Sequence, residues 1–165
     1  MRISLNKTIE NLTNLSMVFI AILMGYIIIP MIIPHRNENL VPTGLKLNVP
    51  EYDFRLYKDN VLFVLSDDCS YCTESSENIK RLVMKLKGKG NSNAVAIFPE
   101  DIAEGKKYLE KMEIPIECVL KASLSSIGVR ATPTVILVDD QAVVKKSWMG
   151  KIDLDKEQQI AKELR

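Results

Sequence analysis

"SDDCSYCTES", Ser66–Ser75, sets Cys69 and Cys72 two residues apart, directly after the apolar run "VLFVL", Val61–Leu65. A short apolar run bounded by polar residues reads as a buried strand. Downstream, Ile79, Leu82, Val83 and Leu86 recur at helical spacing, and Gly88 and Gly90 end the pattern. The cysteines therefore sit where a strand hands over to a helix. A helix N-terminus carries about half a positive charge and free N–H groups. A thiolate placed there is stabilised, so Cys69 is the candidate attacking thiol. Cys72, on the same face and a turn deeper, can close onto it and resolve a mixed disulfide. A zinc half-site and an inert structural pair are the competing readings. Zinc needs four ligands, and beyond the pair the chain offers Cys118 and its one histidine, His35. No metal and no cofactor is implied.

The 165 residues suit one ordinary domain with an appendage. Lys and Arg number 22 against 21 Asp and Glu, a formal charge of +1. Nucleic-acid binding needs a concentrated basic excess, so that class is excluded. Three cysteines with one close pair do not describe a disulfide-stapled small domain. Cys118, within the apolar "IPIECVL", reads as a small buried hydrophobe, with a third redox position as its alternative.

The front of the chain is of another kind. Met17–Ile33 reads "MVFIAILMGYIIIPMII", and no charge falls between Glu10 and His35. About 18–20 apolar residues span a bilayer core of about 30 Å. Residues 1–34 are therefore expected to be a short cytoplasmic tip and a transmembrane helix ending near Pro30 and Pro34. A cleaved signal peptide and a buried soluble helix are the alternatives. The first lacks a small-residue cleavage pattern here, and the second lacks a polar face. Arg2 and Lys7 precede the span, against Arg36 and Lys46 after it, a slight lean toward a cytoplasmic N-terminus and an extracytoplasmic main domain. Residues 35–50, polar with Pro42, Gly44 and Pro50, read as a tether, leaving 51–165 as the main domain.

Along that domain, "AVAIF" (Ala94–Phe98) is a second buried-type strand, and Asp101–Met112 a helix with Asp101 as N-cap. Ile114–Leu120 is a short apolar segment, broken by Pro115. "TVILV" (Thr134–Val138) is a third buried strand, turned at Asp139-Asp140 into an antiparallel partner over Ala142–Trp148. Asp153–Leu164 is an amphipathic helix capped by Asp153, with Leu154, Ile160 and Leu164 expected inward. Alternating elements followed by a hairpin imply an α/β sandwich with a mixed central sheet. Trp148, the single tryptophan, reads as core, with the edge of a substrate groove as its alternative.

"VLFVLSDDCSYC" followed about sixty residues later by "IGVRATPTVILVDD" resembles the thioredoxin-like family, closest to its membrane-anchored, extracytoplasmic TlpA-type and MauD-type branch. The likeness runs from about Val61 to Trp148, carried by Cys69, Ser70, Tyr71 and Cys72, then Gly128-Val129 and Thr132-Pro133-Thr134. It implies a thioredoxin-like fold and thiol–disulfide exchange, with Cys69 and Cys72 catalytic. It implies that Pro133 is cis, and that Thr132, Pro133, Ser70 and Tyr71 form the substrate surface, with the Thr132 backbone pairing an extended client strand. A strand-start proline is the plain alternative for Pro133. Implied partners are protein thiols and disulfides, a membrane electron-transfer partner, and lipid through 17–33. Apocytochrome cysteines, as in cytochrome c biogenesis, or a disulfide-rich subunit are expected clients by analogy alone.

The chain departs from the family at two places. Asp68, preceded by Asp67, stands where many relatives keep Trp. Phe63 stands where thioredoxin keeps a buried acid, six residues before the first cysteine, so the usual proton acceptor for the second cysteine is missing. Glu74 and Glu77 read as surface charge. Asp67 and Asp68 oppose a thiolate on Cys69, which leans the couple toward a reductant rather than a strong oxidase. The P-x-x-x-T/S-x-x-C setting of peroxiredoxins is missing before Cys69, which argues against peroxidase activity. The reading from a different class is a membrane-anchored peptide-binding or assembly module that keeps the fold without redox turnover.

Overall fold

In a computed structural model, residues 15–20, 22–24 and 41–164 are described. The chain divides into two units, Met1–Glu38 and Asn39–Arg165. In the first, residues 15–20 and 22–24 are helical, and Met17, Val18, Phe19, Ile20, Ile22, Leu23 and Met24 all expose apolar side chains. Among the described residues no helix is long and apolar enough to cross a membrane. The expected span over 17–33 lies largely outside them, as do His35 and the start of the expected tether.

The second unit is a five-stranded mixed sheet in the order β3-β2-β1-β4-β5. The strands are β1 (Asp59–Val64), β2 (Ser92–Phe98), β3 (Cys118–Lys121), β4 (Thr134–Asp139) and β5 (Val144–Met149). The first three run parallel, and β4 is antiparallel to both β1 and β5. Central β1 is buried on both faces, and its side chains alternate as a pleated strand requires. Val61, Phe63 and Leu65 enter one core, while Leu62 and Val64 enter the other.

Helices cover the first core. They are α1 (Ser70–Glu74), α2 (Ser76–Lys87), α3 (Ile102–Lys111) and α4 (Leu154–Glu163). Ile79, Leu82, Val83 and Leu86 of α2, Tyr108 and Leu109 of α3, and Ile160 of α4 are buried there. Gly105 lets α3 approach the sheet closely, because a Cβ at that position would stand 2.5 Å from the Phe98 ring. Asp101 and Asp153 cap α3 and α4 as expected, accepting from the amides of Ala103 (2.6 Å) and Lys156 (2.9 Å).

The second core is covered differently. Val41, Leu47, Val49 and Phe54 pack over Leu62, Val64, Ile136 and Val138, together with Ile127 and Val129. Val41–Val49, assigned to the tether in the sequence reading, is held to the end of the hairpin by backbone bonds. Gly44 N–H reaches Val144 O, Leu47 N–H reaches Ala142 O, and Val144 N–H reaches Leu45 O.

Two local expectations need correction. Leu154 faces solvent at 58% exposure. At about 100° per residue, six positions place it roughly 120° from Ile160 on the helix. Glu157 occupies the inward position instead, bridged by Arg81 (2.7 Å) and Lys85 (2.9 Å) of α2. Its carboxyl is held below the ordinary glutamate range; burial opposes this, but the two cations outweigh it. The helical stretch after the cysteines is also not continuous. It breaks at Ser75, whose hydroxyl donates to Tyr71 O (2.6 Å) and accepts from Ile152 N–H (2.9 Å). Back-bonding of this kind bends helices.

Candidate active site

The parallel strands β1 and β2 deliver their C-terminal loops to one edge of the sheet, where α/β folds commonly form sites. Cys69 ends the loop after β1 as the N-cap residue of α1, in an extended conformation with φ −90° and ψ 108°. Its sulfur accepts from the Cys72 amide at 3.2 Å. The same sulfur stands 3.3 Å from the carbonyl oxygen of Thr132, to which the thiol donates. The Thr132–Pro133 peptide is cis. The structure thus brings Cys69, Cys72, Thr132 and Pro133 together, although the second pair stands just before β4, with Thr132 63 positions after Cys69.

The two cysteines differ in access. Cys69 is partly exposed, whereas Cys72 is fully buried, and all three cysteines of the chain are free thiols. Burial pushes the Cys72 thiol up to about 12, and the Cys69 thiol beside it adds to the rise. The Ser66 backbone and the Thr132 side chain pull the other way. A thiol with these properties stays protonated until a partner draws the proton away. The geometry suits an outer thiol that attacks and an inner one that follows.

Ser70 is the first residue of α1 and exposed, and Tyr71 presents its ring outward at 55% exposure. Both lie next to Cys69 on the open side of the site. Asp67 and Asp68 are exposed. Glu74 is an exposed partner of Lys151 at 2.6 Å, on the surface as expected. Trp148 is buried in the helical core. Cys118 stands level with Val95 of β2, which in turn stands level with Leu62 of β1. It is therefore two strands out from β1 and short of the strand ends, away from the pair.

Several solved structures share this chain's architecture. The thioredoxin domain of a thiol-disulfide oxidoreductase from Bacteroides vulgatus matches 76% of this chain and 96% of its own, at 17% identity and a TM-score of 0.57. A thiol:disulfide interchange protein from a Bacteroides species matches over 75% and 87%, at 19% identity and a TM-score of 0.55. A thiol-disulfide isomerase from Corynebacterium glutamicum matches over 75% and 96%, at 15% identity and a TM-score of 0.57. The fold is thioredoxin-like. No family model matches the chain, and neither does any curated protein.

Within this thioredoxin-like domain, Phe63 fills the position of the buried acid. It is fully buried in the same apolar cluster as Cys72. The Ser66 hydroxyl donates to Glu100 Oε1 at 2.7 Å. Among the described residues, two buried side-chain oxygens lack a hydrogen-bond partner: Glu100 Oε2 and the Tyr108 hydroxyl. Burial pushes the Tyr108 phenol up to about 12, and the two cysteine sulfurs add to the rise. Beside Tyr108 a cleft of about 300 Å³ opens between Asp67, Glu104, Lys107 and Lys111. Ser66, Glu100 and Tyr108 were missed in the sequence. The available signal was positional: an acid immediately past the C-terminal end of a strand parallel to β1.

Proposed function

We propose that the protein is a thiol–disulfide oxidoreductase whose Cys69 attacks client disulfides and whose Cys72 resolves the mixed disulfide. The observation that carries this reading is the placement of the Cys69 sulfur between the Cys72 amide and the Thr132 carbonyl, beside the cis peptide of Pro133. Thr132 and Pro133 are then the rest for an extended client segment, and Ser70 and Tyr71 the exposed lip around the attacking sulfur.

The same proposal makes residues 1–34 a membrane anchor and the folded unit an extracytoplasmic domain. The apolar run 17–33 supports it, as do the outward apolar side chains of helical residues 17–20 and 22–24, which favour a non-aqueous surround. So does the likeness in fold to a secreted thiol-disulfide isomerase from Corynebacterium glutamicum, at 14% identity and a TM-score of 0.52. Electron flow runs toward the client. Burial disfavours a thiolate on Cys72, whereas a strong oxidant depends on a stabilised reduced form. A membrane electron donor then re-reduces the pair.

Trapping tests the proposal. With Cys72→Ala, resolution is lost and Cys69 should accumulate covalent adducts with disulfide-bearing proteins, visible on non-reducing gels and dispersed by dithiothreitol. If neither these adducts nor insulin reduction by the native chain is found, the domain is a peptide-binding or assembly module instead.

A further inference from the structure

We propose that Ser75 is a positioning residue: through the loop after β5 it holds the Thr132–Pro133 client rest at a fixed place beside the cysteine pair. This rests on the exchange reaction proposed above. A closed ring of hydrogen bonds carries the inference. The Cys69 thiol donates to Thr132 O at 3.3 Å. Thr132 is joined to Pro133, whose carbonyl accepts from Gly150 N–H at 2.8 Å, just past the end of β5. Two residues on, Ile152 N–H donates to Ser75 Oγ at 2.9 Å. The Ser75 hydroxyl donates in turn to Tyr71 O at 2.6 Å, inside the segment from Cys69 to Cys72. The ring runs from the attacking thiol through the client rest and the loop, and back to the helix that carries both cysteines.

Other contacts fix the same loop. Asn78 of α2 donates to Ile152 O, so both backbone polar groups of Ile152 are held from the helix that Ser75 opens. Lys156 of α4 donates to Met149 O at 2.9 Å and to Lys151 O at 2.7 Å, the carbonyls on either side of Gly150. Lys151 reaches Glu74 at the end of α1 at 2.6 Å. Ser75 and Ile152 are fully buried, so water does not replace a bond lost between them. Serine suits the place because one hydroxyl both donates and accepts. The link from Cys69 is different in kind. It exists only while the sulfur carries a proton, so it is lost in the attacking thiolate, in the mixed disulfide and in the Cys69–Cys72 disulfide. The bonds through Ser75, Ile152 and Gly150 involve no thiol and persist through the cycle. They keep the Thr132 backbone in place during the steps in which a client lies on it.

Two disulfide substrates separate this role from a merely structural one. Insulin needs the rest as well as the attacking sulfur. Ellman's reagent, a small disulfide with no peptide segment to lay on the rest, needs the sulfur alone. All proteins carry Cys118→Ser, so that only the pair reports. At saturating dithiothreitol, Ser75→Ala should raise the KM for insulin about threefold to tenfold, with kcat unchanged within about twofold. Its release of thionitrobenzoate from Ellman's reagent should keep the native rate. Lys156→Met frees the carbonyls beside Gly150 without emptying the core, and it should shift the insulin KM in the same direction even if Ser75→Ala fails to fold. A native insulin KM in folded Ser75→Ala overturns the assignment; where that variant does not fold, a native KM in Lys156→Met does so. A loss that falls equally on insulin and Ellman's reagent also overturns it, because a smaller folded fraction slows both alike. A chain with native Ser75 and Lys156 that does not react with Ellman's reagent instead removes the exchange reaction itself.

Discussion

Replacing Cys69 by serine should reduce insulin-disulfide reduction to the uncatalysed rate. Cys72 cannot take over the attack, for two reasons. It is fully buried, so a client disulfide cannot reach its sulfur. Its thiol is also held near 12, so at pH 7 roughly one part in 10⁵ is thiolate, the form that attacks. Serine is nearly isosteric and can still accept from the Cys72 amide, so the fold should survive. Turbidity from insulin reduction with dithiothreitol as electron source measures the outcome. Activity within a few-fold of native would move the attacking thiol elsewhere, to Cys118 by elimination.

Phe63→Ala should cost about 3–5 kcal/mol of folding stability, the range for deleting a large buried aromatic side chain. Phe63 is fully buried in central β1, opposite Ala96 of β2 and Val135 of β4. Its neighbours are small or already fixed in the sheet, so the cavity cannot collapse far. A loss of that size is a large share of the ~5–15 kcal/mol typical of a domain. Urea unfolding followed by the fluorescence of the single tryptophan, buried in the same core, reads it directly. A shift worth under about 1 kcal/mol would mean that the strand repacks freely around the gap.

The parts legible in the sequence are those governed by a local period or a local cap. Val61–Leu65 announces β1 by its unbroken apolar run, and Ile79, Leu82, Val83 and Leu86 announce α2 by their spacing. Asp101 and Asp153 announce helix starts because a cap acts within three residues. The cysteine pair and Pro133 were singled out from their motifs, and strand pairing brings them together.

What stayed hidden depends on distant partners. Val41–Val49 has no period of its own. It is shaped by a sheet face that the helices leave bare and by backbone bonds to the β4–β5 turn. The break at Ser75 follows from an amide contributed by Ile152, near the opposite end of the domain. Glu157 shows in sequence as one more surface acid, and its burial is intelligible only once Arg81 and Lys85 of another helix are beside it. Glu100 sits in a polar turn in sequence, and only the register of β1 against β2 brings it to Ser66.

Redox titration of the intact chain tests the account most directly. Equilibrated across dithiothreitol and glutathione buffers, Cys69 and Cys72 should lose alkylatable thiols together, in a single two-electron transition that peptide mapping assigns to a bond between them. The midpoint should lie well below the ~−120 mV of a strong oxidant. Cys69 and Cys72 that remain separately alkylatable across the whole range, with no bond between them, would contradict it.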